Sequence, residues 1–320
     1  MSLDNSKDLR IVFMGTPEFA VTILDELVRN NYKVVGVITA ADKPAGRGRK
    51  INSSAVKKYA VEKGLNVLQP TNLKADPFIK ELKDLNANLQ IVVAFRMLPK
   101  VVWAMPSHGT FNLHASLLPN YRGAAPINWA IINGEQKTGV TTFFIDDKID
   151  TGAIILQEEI AIEPDDDAGS LHDRLMYLGA KVVLQTVKEV EKGTIISKGQ
   201  EWNMEYKMAP KIHKETCEIN WKHPLDTIYD FIRGLSPYPT AWTTLLNGEE
   251  SLSLKIFKVI KEEEQHDHAV GMVVFGKKEM KVAVNGGYIN LLEIQLPGKR
   301  KMHIGDVLNG LKLINPVAVV

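Results

Sequence analysis

Residues 9–39 read LRIVFMGTPEFAVTILDELVRNNYKVVGVIT, and this stretch decides the fold. Residues 9–14 are an apolar run rich in β-branched side chains, the composition of a buried strand. Gly15-Thr16-Pro17 interrupts it. Over 18–28 the apolar residues Phe19, Ile23, Leu24, Leu27 and Val28 return at helical spacing, with Pro17 suited to the first turn and Thr16 available as a cap. Residues 32–39 (YKVVGVIT) form a second apolar run. Neither run alternates with polar residues, so both faces of each strand must be covered. Strand, helix and strand in that order predict a parallel sheet with helices on both faces.

Working outward, the pattern continues. Residues 53–63 read as a helix and 89–95 (LQIVVAF) as another buried strand, and 110–114, 139–145 and 153–162 extend the sheet. A long helix is predicted over 169–191, with Leu171, Leu175, Leu178, Val182, Val183, Thr186 and Val187 near one face. Residues 1–192 are therefore expected to form a Rossmann-like α/β domain. Residues 193–210 carry few clustered apolar side chains and read as a linker. Beyond it, a helix over 224–233 is followed by short strands at 241–246, 253–260, 271–275, 280–284 and 288–295. Asn247-Gly248 and Asn285-Gly286-Gly287 supply the turns between them. This predicts a small OB-like β-barrel within 211–320. A chain of 320 residues suits two domains better than one.

Composition excludes several classes of protein. With 45% apolar and 24% charged residues the chain can build packed cores. No apolar run approaches the roughly 18 to 20 residues of a membrane span. A lone cysteine, Cys217, leaves no internal disulfide or Cys-rich zinc site and fits a reducing cytoplasm. His266, His268 and Cys217 do not have metal-ligand spacing, and no metal is expected. The net charge of +1 argues against a broadly basic nucleic-acid binder. Residues 1–206 sum to −1 and 207–320 to +2, but 42–63 alone sum to +5. There Lys43, Arg47, Arg49, Lys50, Lys57, Lys58 and Lys63 face only Asp42 and Glu62, and Pro44, Gly46 and Gly48 predict a loop. Lys299-Arg300-Lys301 forms a second basic cluster after Pro297-Gly298. By charge alone, both clusters fit a solvated surface as well as a phosphate-binding one.

Chemistry concentrates in residues 112–126, NLHASLLPNYRGAAP. Asn112 and His114 are two apart on a predicted strand and so share a face, at the C-terminal end where open α/β sheets bind ligands. After the next strand come Asp146, Asp147 and Asp150. Asn can donate to a developing oxyanion, His can donate or relay a proton near neutrality, and Asp can orient the His or accept a proton. No G-x-S-x-G elbow is present, which favours direct transfer to an amine over an acyl-enzyme. Spacing alone also fits a structural strand-end His, an Asn paired with a loop, and a solvated acidic turn.

The run from His114 to Pro126, followed by Gly139-Val-Thr and Asp150-Thr-Gly, resembles the signature of the folate-dependent formyltransferases. The stretch 11–20 (IVFMGTPEFA) and the loop 41–50 (ADKPAGRGRK) are similar to members that act on methionyl-tRNA. So are 235–242 (LSPYPTAW) and 291–299 (LLEIQLPGK), and the likeness covers nearly the whole chain in order. It implies formyl transfer from 10-formyltetrahydrofolate to the α-amino group of methionine esterified to initiator tRNA. It places the catalytic roles on Asn112, His114 and Asp150. It implies a folate pocket at Arg96, Met97, Leu98 and Pro99, completed by Ser116, Leu117, Leu118, Pro119 and Asp146. Phe95-Arg96 stands where the family pattern has Tyr-Gly. The resemblance also implies tRNA contacts in the loop of Lys43, Arg47, Arg49 and Lys50, while by charge the basic barrel turn at Lys299 and Arg300 is expected to track RNA backbone, and a monomer is expected. Formylation of glycinamide ribonucleotide or of a sugar-nucleotide amine is the nearest alternative. Non-catalytic RNA binding is a more distant one. The long C-terminal region and the Ala45-Gly-Arg-Gly-Arg insertion disfavour the first two.

Overall fold

In order, the elements of the first half are β1 (Arg10–Gly15), α1 (Glu18–Arg29), β2 (Lys33–Ile38), β3 (Lys43–Ala45), β4 (Lys50–Asn52), α2 (Ala55–Glu62), β5 (Val67–Leu68), α3 (Asp76–Asp84), β6 (Leu89–Val93), α4 (Lys100–Trp103) and β7 (Thr110–His114). There follow β8 (Arg122–Gly123), α5 (Pro126–Ile132), β9 (Lys137–Phe144), β10 (Ile154–Ala161) and the 25-residue α6 (Ala168–Lys192). The computed structural model describes residues 9–45, 50–201, 205–314 and 316–320. A seven-stranded sheet runs in the order β10-β9-β7-β6-β1-β2-β5. The pairs from β5 to β7 are parallel and β9 joins β7 antiparallel, which makes the sheet mostly parallel as expected.

Helices cover both faces. Val12 and Met14 of β1 pack in one cluster with Phe78 and Leu82 of α3 and Val102 of α4. On the opposite face Leu113 of β7 meets Gly179 of α6, where a Cβ would lie 2.7 Å from the leucine. Burial on both faces is why 11–14 and 89–93 carry no alternation. At the start of α1, Pro17 occupies the cap position and no side chain caps the helix, so Thr16 does not play the expected role. The extended backbone of Pro17 sets the entry instead, and its carbonyl accepts from Ala20 N at 3.0 Å.

The second half contains β11 (Met208–Ala209), α7 (Leu225–Leu235), β12 (Ala241–Asn247), β13 (Glu250–Glu263), β14 (Val273–Phe275), β15 (Met280–Val284), β16 (Gly287–Gln295), β17 (Met302–His303), α8 (Ile304–Leu308) and β18 (Val317–Val319). Strands β14-β15-β16-β13-β12-β18 form an antiparallel sheet, with β17 added beside β16. A bridge between Met272 and Ala318, with Val319 N donating to Gly271 O at 2.8 Å, brings the two ends together into a nearly closed barrel. Ile228, Ile232 and Leu235 of α7 enter the barrel core beside Leu254, Ile256, Ile289 and Leu291.

The chain divides into two compact units. One contains residues up to 123, 138–160 and 172–208, and the other contains 124–137, 161–171 and 209–320. The segment read as a linker is largely part of the first unit. Lys198 bridges to Ile154, and Lys207 O accepts from Tyr121 N at 2.6 Å. Few apolar side chains were needed there because polar and backbone bonds fasten the segment. Among the described residues no helix is long and apolar enough to cross a membrane.

Candidate active site

Asn112 and His114 owe their direction to β7. The strand is held between β6 and β9, with Asn112 opposite Val92 and Phe143 and His114 opposite Thr141. Leu113 turns toward α6, so Asn112 and His114 turn to the other face at the C-terminal edge. The strand order reverses beside this point, between β1 and β6, where such sheets leave a ligand crevice. Asn112 is half-buried, and its amide makes no hydrogen bond with the described residues. His114 is buried. Its Nε2 lies 2.8 Å from Tyr121 O. A carbonyl only accepts, so Nε2 carries the hydrogen.

Nδ1 lies 3.8 Å from Asp150 Oδ2, within ion-pair reach and beyond a direct hydrogen bond. The same carboxylate oxygen accepts from Gly123 N at 3.0 Å. Residues 121–123 therefore hold both members of the pair, the histidine by a carbonyl and the aspartate by an N–H. Ala94 (φ 47°), Tyr121 (φ 61°) and Asp150 (φ 55°), at the ends of three segments around the edge, have left-handed backbone. Non-glycine residues take this conformation only where the surroundings enforce it, as at functional sites. Two glycines in the site motifs have a steric reason. A Cβ on Gly139 would lie 2.1 Å from Glu158 O, and one on Gly152 would lie 1.6 Å from Phe144 O.

The other site residues expected from sequence occupy varied surroundings. Arg96 folds over Phe95 and donates to the carbonyls of Thr71, at 2.9 Å, and Pro70. The side chain standing in place of a glycine is thereby drawn off the edge. Met97 is exposed and Leu98 buried. The peptide groups of Phe95, Arg96 and Met97 make no hydrogen bond with the described residues, which leaves donors and acceptors free for a ligand. Ser116 Oγ donates to Asn120 O at 2.7 Å. Leu118 is buried, its N–H donating to Thr141 Oγ1 at 3.1 Å and its carbonyl accepting from Gln157 at 2.8 Å. Leu117 and Pro119 are half-buried in the same loop. Asp146 is exposed, and its carboxylate accepts from Thr151 Oγ1 at 2.8 Å and Lys148 N at 2.9 Å, closing the turn that ends in Asp150.

The basic segment differs from its expectation. Residues predicted as a loop form a hairpin, with Lys43 opposite Asn52 and Ala45 opposite Lys50. The glycines that suggested a loop lie in 46–49, and the flanking residues pair antiparallel. Lys43 is exposed, while Arg47 and Arg49 lie outside the described residues and Lys50 is described by its backbone alone. Lys57, counted in the local +5, pairs with Asp42, which also accepts from Gln69 at 2.9 Å. The Lys57 ammonium, and after it the Gln69 amide, hold the Asp42 carboxyl below its ordinary range. Lys57 and Asp42 therefore offset one another within the sum, and the +5 is carried by the other residues of the segment. In the barrel, Lys299 and Arg300 are exposed on a turn where Lys299 N donates to Leu296 O at 3.1 Å, and Lys301 is paired with Glu293.

Sequence reasoning passed over Gln200 and Arg122. Gln200 Nε2 donates to Asp150 O at 3.1 Å and Gly152 O at 2.8 Å, and its Oε1 accepts from Arg122 Nη2 at 2.6 Å and Nε at 3.2 Å. Arg122 lay in view within the motif, as a charged residue beside Gly123. Gln200 lay in the supposed linker, where no spacing marked it. No group of three His, Cys, Asp or Glu side chains among the described residues is arranged to hold a metal ion.

The family model for formyl transferase matches residues 9–187, and that for the formyl transferase C-terminal domain matches 211–312. A methionyl-tRNA formyltransferase of Flavobacterium johnsoniae is 64% identical, the match covering 95% of this chain and 96% of the relative. One from Flavobacterium psychrophilum is 58% identical, with 95% and 97% covered. Among solved structures, an N-formyltransferase of Helicobacter canadensis in complex with folinic acid and dTDP-3-aminofucose shares the fold. Its TM-score is 0.62 at 20% identity, covering 92% of this chain and 100% of that one. With its strand-end His facing an Asp held by a later loop, and matched along most of its length, the chain belongs to the formyl transferase family, among the methionyl-tRNA formyltransferases.

Proposed function

We propose that this chain transfers the formyl group of 10-formyltetrahydrofolate to the α-amino group of methionyl initiator tRNA, producing formylmethionyl-tRNA for translation initiation. The observation that carries the reading is Asn112, His114 and Asp150 at one sheet edge, in a chain 64% identical to a methionyl-tRNA formyltransferase. The free peptide groups of 95–97 suit a heterocycle such as a pterin, with Leu98, Leu117, Leu118 and Pro119 as apolar surround and Ser116 and Asp146 shaping the adjoining turns. No metal is assigned a role. The amine nitrogen forms a bond to the formyl carbon, and the bond from that carbon to folate nitrogen then breaks. Asn112 Nδ2 donates to the oxygen that becomes negative. His114, protonated at Nδ1, adds its charge to the same region, and Asp150 holds that charge and helps draw the proton from the attacking amine. The proton ends on the departing folate nitrogen. Preorganised donors of this kind are worth about 3 to 4 kcal/mol each.

In this reading residues 1–192 perform the chemistry, and 211–320 hold RNA through surfaces such as Lys299 and Arg300. The enzyme acts as a cytoplasmic monomer. Purified protein with 10-formyltetrahydrofolate should formylate methionyl initiator tRNA, and neither glycinamide ribonucleotide nor a sugar-nucleotide amine. Transfer only to one of the latter two would overturn the assignment. Changing Lys43, Arg47 and Arg49 together to Ala should raise KM for tRNA and flatten its dependence on salt, because each lost phosphate contact removes about one unit of slope. An unchanged KM and slope would reduce the hairpin to scaffold.

A further inference from the structure

We propose that Gln200 is a positioning residue for formyl transfer, clamping the Asp150 turn to the segment that holds His114. The proposal rests on the functional reading above and deepens it. Its basis is one amide whose four hydrogen-bonding positions are all used. The two N–H groups go to Asp150 O and Gly152 O, at 3.1 and 2.8 Å. Both lone pairs of Oε1 face Arg122, at 2.6 and 3.2 Å. The amide orientation is unambiguous, because carbonyls only accept and a guanidinium only donates.

The two ends of this clamp are the two supports of the catalytic pair. Arg122 stands between Tyr121, whose carbonyl accepts from His114 Nε2, and Gly123, whose N–H holds Asp150 Oδ2. Asp150 and Gly152 bracket the left-handed turn that carries the aspartate. Gln200 touches neither the reacting atoms nor the carboxylate. It fixes the backbone on either side of the 3.8 Å gap between Nδ1 and Oδ2. An aspartate on a turn could otherwise rotate with that turn, and a misplacement near 1 Å at such a pair costs roughly 100-fold. The segment around 200 thus supplies precision to a site built from residues 112–152.

Gln200→Glu is the discriminating variant. It keeps the size of the side chain and the acceptors for Arg122, and removes both donors to the turn. Gln200→Ala removes both ends of the clamp. For transfer to methionyl-tRNA, both variants should lower kcat roughly 10- to 100-fold, with KM for folate and tRNA within about twofold. The pH dependence of kcat should shift with them, since the proton-carrying pair is displaced, while the Glu variant keeps the thermal midpoint of the unaltered chain. If the Glu variant retains kcat within about twofold, or its loss lies wholly in KM, or activity falls only in step with the folded fraction, Gln200 is merely structural and the proposal is overturned. Failure of the unaltered chain to formylate methionyl-tRNA would instead overturn the functional reading, and the clamp with it.

Discussion

His114→Ala and Asp150→Ala are each expected to lower kcat by roughly 10²- to 10⁴-fold while the chain stays folded. His114 Nε2 is held by Tyr121 O, which in the proposed mechanism leaves Nδ1 to carry the proton, and among the described residues Asp150 faces that nitrogen at ion-pair distance. Without Asp150 the ring keeps its place and loses the charge that stabilises its protonated form. Without His114 the oxygen of the transferring group loses its cationic partner and depends on Asn112 alone. Because the two act as one unit, the double variant should be barely worse than either single one. Initial rates under saturating substrates, with circular dichroism as the check on folding, measure this. Turnover near normal in either single variant would refute the assignment.

Gly152→Ala should be the most damaging single methyl in the catalytic loops. Its Cβ would lie 1.6 Å from Phe144 O and 2.8 Å from Phe144 C, and both obstacles are backbone at the end of β9. No side-chain rotation relieves such a contact, so the 150–152 turn must lift away and carry Asp150 with it. Overpacking of this kind typically costs about 1 to 3 kcal/mol, and the displaced carboxylate should cost a further 100-fold or so in kcat. Gly276→Ala is the control, since nothing lies within 4 Å of its Cβ. Denaturant unfolding and kinetics on the pair of variants decide the matter. Equal stability and activity for both would show that the turn has room for a side chain.

Much of the fold was legible because strands such as 10–15 and 89–93 are apolar on consecutive residues, a pattern that only a covered parallel sheet explains. Barrel strands were legible from alternation and from Asn-Gly turns. The closing contact of the barrel was not, since Met272 and Ala318 meet over a long separation that no local pattern records. The pairing of Lys43–Ala45 with Lys50–Asn52 was hidden by the glycines between them. In the site, Asn112 and His114 could be placed because a strand fixes faces at a spacing of two. Asp150 could be placed only by resemblance, since three aspartates in one turn look alike by charge. The structure separates them, with Asp146 closing the turn, Asp147 near Lys100, and Asp150 facing the histidine. Gln200 has no signature at all, because a glutamine acting on backbone carbonyls leaves no mark in spacing, charge or hydropathy.

The hairpin of β3 and β4 forms its own two-stranded sheet and adds no strand to the large one. Changes within these two strands therefore need not move the register that aims Asn112 and His114. Under the proposed function, this segment transplanted between relatives should carry acceptor preference with it and leave the reaction unchanged. In evolutionary terms the appendage can change apart from the sheet that carries Asn112 and His114.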